Sequence, residues 1–368
     1  MNTTLKINRE TLLEPLFAVS GIIERRHTLP ILSNVLLERN GPDITIVATD
    51  IEIQISARAT CGTPGDAKSI TVGARKLLDI LRALPEQSEV TLAMQEKKLQ
   101  VKAAKSRFNL QTLPAEDFPK LSLAEGTTTK MTLPQKVLKG LFLSVQYSMA
   151  QQDIRYYLNG LLLVTGGGKL TVVATDGHRL ALASAEHKTE GTHEVILPRK
   201  SILELSKLMA DSDEPVEVEL SPTQARFSFG SIVLISKLVD GKFPDYTRVI
   251  PTGHKKKLLL GRLTLLQALQ RAAILTNEKF KGVRWVLTEG SLKIICSNNE
   301  QEEAQEELEV AYSGETLDIG FNVNYLQDVL NNLECAEIEC SLGDANSSVL
   351  ITVPGNENFK YVVMPMRI

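Results

Sequence analysis

A chain of 368 residues, 43% hydrophobic and 23% charged, is too long for a single core, and no tract is poor enough in apolar residues to stay disordered. A formal net charge of −3 argues against a uniformly basic nucleic-acid binder, although a net value hides how charge is distributed. No run of about 18 apolar residues occurs, and the first nine residues lack a basic stretch followed by an apolar one, so a cytoplasmic protein without membrane contact is expected.

In chain order, apolar residues at helical spacing predict a first helix over 8–23, with Leu12, Leu13, Leu16 and Phe17 on one face. A hairpin follows, 34–37 turning at Asn40-Gly41-Pro42 into 44–50, and then a second helix over 75–84. After a Ser/Thr/Gly-rich linker near 121–129 the order returns: a helix over 133–149 with Leu138, Leu141, Phe142 and Val145, a hairpin turning at Gly166-Gly167-Gly168, a helix over 199–209 and an alternating strand over 216–220. A second linker near 251–257 precedes a third round, with a helix over 262–277 carrying Leu265, Leu266 and Leu269, a hairpin turning at Glu289-Gly290 and a helix over 323–333.

The recurrence is also literal. Ile44-Thr45-Ile46-Val47-Ala48-Thr49-Asp50 returns as Leu170-Thr171-Val172-Val173-Ala174-Thr175-Asp176 and more faintly as Leu292-Lys293-Ile294-Ile295-Cys296-Ser297-Asn298, while Arg75-Lys76 returns as Arg199-Lys200. Repeats of about 125 residues can each hold a core. Three homologous α+β domains are therefore expected over 1–125, 126–252 and 253–368, each with two helices and two small sheets. Basic residues cluster on the predicted helices (Arg75, Lys76 and Arg82; Lys136 and Lys139; Arg199, Lys200 and Lys207), whereas acid gathers in Glu300, Glu302, Glu303, Glu306, Glu307 and Glu309. The acidic run reads as a solvated edge or as an interface meeting basic residues.

Several strings resemble chemistry. Asp176, His178 and Arg179 offer acid–base groups, but no Ser or Cys elbow accompanies them, and Asp-Gly after a strand is first a turn. Gly166-Gly167-Gly168-Lys169 lacks the first glycine and the Ser/Thr of a phosphate loop and reads as a hairpin tip. Cys61, Cys296, Cys335 and Cys340 form no C-x-x-C pair or zinc spacing and read as reduced thiols. Tyr156-Tyr157 beside Gln152 and Arg155 suits stacking on nucleic acid or half-buried packing. Pro365 cannot donate to a ladder, so the last strand should stop there, leaving Met364-Pro365-Met366 as adaptable binding surface or as a tail docked on its own sheet.

The strings Asp153-Ile154-Arg155-Tyr156-Tyr157-Leu158-Asn159-Gly160, Ala174-Thr175-Asp176-Gly177-His178-Arg179-Leu180, Lys237-Leu238-Val239-Asp240-Gly241-Lys242-Phe243-Pro244-Asp245-Tyr246 and Met364-Pro365-Met366-Arg367 resemble the bacterial sliding clamp, the beta subunit of DNA polymerase III. Thr28-Leu29-Pro30-Ile31-Leu32 and Ile274-Leu275-Thr276-Asn277-Glu278-Lys279-Phe280 match too, and the likeness covers the whole chain. It implies three tandem domains of the DNA-clamp fold, a head-to-tail homodimer closed into a six-domain ring, and a processivity factor without catalysis, cofactor or metal. By the same resemblance Arg26, Arg75, Gln152, Tyr156, Tyr157 and Arg199 contact double-stranded DNA. Leu158, Thr175, Gly177, His178, Arg179, Leu180, Pro244, Arg248, Val249, Asn322, Tyr325, Ser348, Val362, Met364, Pro365, Met366 and Arg367 would form the pocket for a short linear motif. Its implied users are the DNA polymerase III alpha subunit, the clamp loader delta subunit, other DNA polymerases, and mismatch-repair or ligase proteins. Gln151 stands where some members have histidine, Thr247 varies in charge, and the chain ends in Ile368 rather than leucine.

The asymmetric charge adds an expectation for the dimer. Arg75, Lys76, Lys105 and Arg107 of the first domain would face Glu300, Glu302, Glu303 and Glu306 of the partner's third, with Phe108, Leu110, Ile274 and Leu275 as apolar contacts. An acid–base enzyme and a purely structural oligomer are the competing classes. The first lacks any equivalent residue set in the other repeats, and retention on circular but not linear DNA separates the second.

Overall fold

Residues 3–24, 29–61, 66–95, 97–122, 129–188 and 191–367 are described by the structure, a computed structural model. Among the described residues six α-helices lie where the periodicity placed them: α1 Arg9–Ser20, α2 Ala74–Ala83, α3 Gln135–Val145, α4 Arg199–Leu208, α5 Arg262–Ala272 and α6 Val323–Asn331. Helices α3 and α5 are shorter than the apolar pattern suggests because they tighten into 3-10 turns, Gln146–Ser148 and Ala273–Leu275, before the chain extends. Asn8 and Asn322 begin α1 and α6 by accepting hydrogen bonds from the N–H groups two residues on. Leu12 and Leu16 of α1 are buried, but Phe17 is exposed and carries the Arg82 guanidinium over its ring at 5.3 Å. Membership of the apolar face thus overstated its burial.

The chain divides into two compact units, Met1–Lys136 with Leu203–Leu238 and Val137–Ile202 with Val239–Ile368. The first unit is built on a twelve-stranded antiparallel sheet. Its order is Thr3–Asn8, Glu89–Met94, Lys98–Ala103, Ser106–Leu113, Lys68–Gly73, Asn34–Asn40, Asp43–Thr49, Ile53–Thr60, Ile232–Lys237, Gln224–Phe229, Pro215–Leu220 and Thr129–Pro134. The second unit carries an eight-stranded sheet, His193–Pro198, Gly160–Gly166, Lys169–Thr175, Arg179–Glu186, Asn356–Val363, Val349–Val353, Glu337–Leu342 and Lys256–Gly261. It also carries a four-stranded one, Glu303–Glu309, Ser291–Ser297, Gly282–Thr288 and Leu317–Asn322.

This corrects the expectation of two small sheets per repeat. Strand Ile53–Thr60 pairs with Ile232–Lys237, and Arg179–Glu186 pairs with Asn356–Val363, so strands from successive repeats share one ladder. Each would otherwise present a row of unpaired N–H and C=O groups, and pairing satisfies both rows at once. The three hairpin turns fall at Gly41, at Gly167-Gly168 and at Gly290, all with positive φ. Trp285 and Phe321, both buried, meet edge to face at 5.2 Å in the four-stranded sheet.

Candidate functional site

Within the second unit, the junction of Arg179–Glu186 with Asn356–Val363 opens on a cleft of about 450 Å³. Its floor is a buried cluster of Ala150, Leu158, Leu162, Val173, Leu180, Ile196, Phe243 and Val362. The turn at its edge is fixed by its own side chains. Thr175 Oγ1 accepts from Gly177 N–H (3.1 Å) and donates to Arg179 O (2.6 Å), while Asp176 Oδ1 accepts from the N–H groups of His178 (2.9 Å) and Arg179 (3.1 Å). Gly177 has φ +88°, and a Cβ there would lie 3.0 Å from the Arg155 guanidinium, so the position favours glycine on two counts. That guanidinium donates to Asp176 O (3.2 Å) and grips Asp153 through two bonds, which hold the Asp153 carboxyl down at about 2.

Beneath the turn Arg179 is nearly buried and fully engaged. It donates to Asp176 (3.1 Å), Asp328 (2.5 Å) and Tyr147 O (2.6 Å), and its plane lies 4.4 Å from the Tyr325 ring. Tyr361 donates to Tyr325 O at 2.8 Å, and burial pushes its phenol far above the usual range. The enzyme reading loses its acid–base set here, because both oxygens of Asp176 are held by the turn and by Arg179. Among the described residues no group of His, Cys, Asp or Glu could hold a metal ion.

Of the pocket residues expected from the sequence, Leu158, Thr175, Gly177, His178, Arg179, Leu180, Pro244, Arg248, Val249, Ser348, Val362 and Met364 line this cleft. Arg155, Phe243 and Tyr246 line it as well and lie outside the set that the resemblance implies. Their signal was present, since the first lies in the Asp153–Gly160 string and the other two flank Pro244. Asn322 and Tyr325 do not line the cleft: Asn322 caps α6, and Tyr325 stacks on Arg179. Met366 and Arg367 line a separate cavity of about 1000 Å³ with Asn277, Phe280 and Arg284. Pro365 falls between the two.

The last strand ends at Val363, two residues before Pro365. The tail beyond it is docked: Met364 N–H donates to His178 O and Met366 N–H to Gly320 O, each at 2.9 Å. Met364 nevertheless keeps an exposed side chain over the cleft, so pinned backbone and adaptable surface coexist.

The expected DNA contacts take distinct environments. Arg26 lies outside the described residues, as do Thr28 and Ile368. Arg75 is exposed in the first turn of α2, and Gln152 is exposed with φ +56°. Tyr156 is 56% exposed, whereas Tyr157 packs on the cleft's core cluster, as the packing reading of the pair expects of it. Arg199 is half-buried and donates to Met149 O (3.2 Å) and Gln146 O (3.5 Å); burial and the neighbouring Arg179 charge lower its pKa.

Of the expected dimer residues, Lys105, Arg107, Phe108 and Leu110 lie on or beside strand Ser106–Leu113, and Lys76 is exposed beside Arg75. Ile274 is 76% exposed and Leu275 half-buried in the turn after α5. Glu303 and Glu306 are on the outermost strand of the four-stranded sheet, and Glu300 and Glu302 precede it. Glu306 is already held by Arg271 through two bonds (2.9 and 2.5 Å).

Models of the DNA polymerase III beta subunit match the chain in three consecutive stretches: the N-terminal domain over 3–122, the central domain over 132–245 and the C-terminal domain over 247–367. The beta sliding clamp of Pseudomonas putida is 48% identical over 364 residues, 98% of this chain and 99% of that one. That of Escherichia coli strain K12 is 46% identical over 363 residues, with the same coverage. A crystal structure of the Pseudomonas aeruginosa sliding clamp bound to griselimycin has 46% identity and a TM-score of 0.96, covering 100% of both chains.

Proposed function

The chain belongs to the DNA polymerase III beta subunit family, the beta sliding clamps of replication, which are processivity factors and not enzymes, and from that premise we propose that the cleft in its second unit is where replication proteins dock. The observation that carries this reading is the match of chemistry to ligand: an apolar floor of Leu158, Leu180, Phe243 and Val362, rimmed by the exposed side chains of His178, Arg248, Val249 and Met364. Such a cleft takes a short peptide with a glutamine followed by leucine and phenylalanine, burying the two apolar residues and leaving the glutamine at the polar rim. Its carriers would be the polymerase alpha subunit, the clamp loader delta subunit, other DNA polymerases, and mismatch-repair or ligase proteins, acting in the cytoplasm. Calorimetric titration with that peptide should give micromolar affinity, since ordering a flexible peptide offsets most of the burial. Unchanged affinity in Leu180→Glu would refute the placement.

Homodimerisation and DNA binding complete the proposal. Among the described residues, Ser106–Gln111 and Glu303–Glu309 each have a strand partner on one side only. One edge carries Lys105 and Arg107 beside it or on it, and the other Glu303, Glu307 and Glu309. Open edges of opposite charge favour a head-to-tail pairing that closes into a ring around duplex DNA. Retention of the loaded protein on circular DNA, and its loss on linearisation, tests that topology.

A further inference from the structure

The turn that carries the cleft has a counterpart in the first unit. Thr49 Oγ1 accepts from Ile51 N–H (3.0 Å) and donates to Ile53 O (2.9 Å), and Asp50 Oδ1 accepts from the N–H groups of Glu52 (3.0 Å) and Ile53 (2.8 Å). These are the four bonds made by Thr175 and Asp176. The ladders agree as well, for Gln54 faces Ile235 as Leu180 faces Val362. Lys237 N–H donates to Glu52 O at 2.9 Å, as Met364 N–H donates to His178 O at 2.9 Å. Below lies a buried cluster of Leu36, Val47 and Phe118, matching Leu162, Val173 and Phe243 of the second unit; Phe118-Pro119 repeats Phe243-Pro244.

The framework of the cleft is thus present twice, but its covering residues differ. Where Leu180 offers an apolar wall, the nearly buried Gln54 spends its amide on Leu121, accepting from the N–H (2.8 Å) and donating to the C=O (3.3 Å). Where Met364 and His178 flank the opening, Lys237 and Glu52 form an ion pair at 3.0 Å. Ile51 occupies the place of Gly177 and keeps its left-handed backbone, φ 72°. An entering leucine or phenylalanine would have to part Gln54 from Leu121 and leave buried polar groups unmet, a cost the second unit never imposes.

We propose that Ile51, Glu52, Gln54 and Lys237 are specificity-determining residues that close a second copy of the peptide cleft, restricting each chain to one glutamine–leucine–phenylalanine peptide. The inference rests on the reading that the cleft of the second unit binds that peptide. Its test is calorimetric stoichiometry with the full-length protein and a synthetic peptide of that sequence. The native chain should bind one peptide, and the variant Ile51→Gly, Glu52→His, Gln54→Leu, Lys237→Met should bind two. A folded variant still binding one peptide at native affinity overturns the proposal, as does a native chain binding two. A native chain binding none sinks the docking reading beneath it, which is a different result. Should the fourfold variant fail to fold, the reciprocal change decides. Leu180→Gln should clamp Tyr246, the counterpart of Leu121, and slow hydrogen exchange of the Tyr246 amide about fivefold or more, whereas unchanged exchange overturns the equivalence.

Discussion

Gly177 and Arg179 show how much of the cleft proposed for docking depends on single side chains. Alanine at 177 would meet both a positive φ and the Arg155 guanidinium, so Gly177→Ala should destabilise by about 1 kcal/mol or more and weaken peptide binding; urea melts and calorimetry read the two effects. Arg179→Ala would strip the counter-charge from Asp176 and Asp328 and unstack Tyr325, so a larger loss is expected, about 3 kcal/mol, with the melt again as the measure. Cysteine chemistry is simpler. Burial pushes the Cys296 thiol up to about 11 and Cys340 up to about 12, so both should resist alkylation at neutral pH until the chain unfolds. Mass spectrometry of the native protein treated with iodoacetamide checks this. At this scale the sequence was most legible where a residue type has one use: a turn Asp-Gly, an apolar Leu180. It was least legible where polar residues choose among partners, as when Arg199 donates to backbone carbonyls of the turn after α3.

Elements were predictable from period and turn chemistry because those signals are local. The apolar spacing of 133–149 and 262–277 runs past the ends of α3 and α5, since it continues through a 3-10 turn that only tertiary packing distinguishes from helix. Beyond the three hairpin pairs, sheet order was not legible. Nothing within Ile53–Thr60 announces that its partner is Ile232–Lys237, about 180 residues later, because ladder partners are selected by open edges and not by local pattern. The turn at Asp50 offers a direct check on element strain. Ile51 is β-branched, 40% exposed and left-handed, and asparagine tolerates that backbone far better, so Ile51→Asn should raise stability by about 1 kcal/mol. A urea midpoint that fell would show that the isoleucine contributes packing that outweighs its strain.

For the whole molecule, charge would steer the proposed assembly more than it would hold it together. Exposed Glu303 and Glu307 sit on an open strand edge, so under the proposed pairing reversing both to lysine should slow dimer association, most at low salt, while Ile274→Asp should raise the dissociation constant at every salt concentration because it would take apolar burial from the proposed contact. Sedimentation at graded ionic strength separates the two, and identical salt dependence would contradict the steering role. DNA binding should show the opposite balance. A net charge of −3 leaves no overall attraction, so the proposed contact rests on exposed local groups such as Arg75, Gln152 and Tyr156, which would reach phosphates and sugars and distinguish no base. Affinity for short linear duplexes should therefore be weak and fall steeply with added salt, and competitor duplexes of unrelated sequence should displace one another equally. Replacing Arg75 by alanine should lower the slope of log affinity against log salt by about one, without changing the peptide affinity of the cleft. A duplex that outcompeted the rest by tenfold at matched length would mean that a base edge is being read, and retention on DNA could then no longer be purely topological.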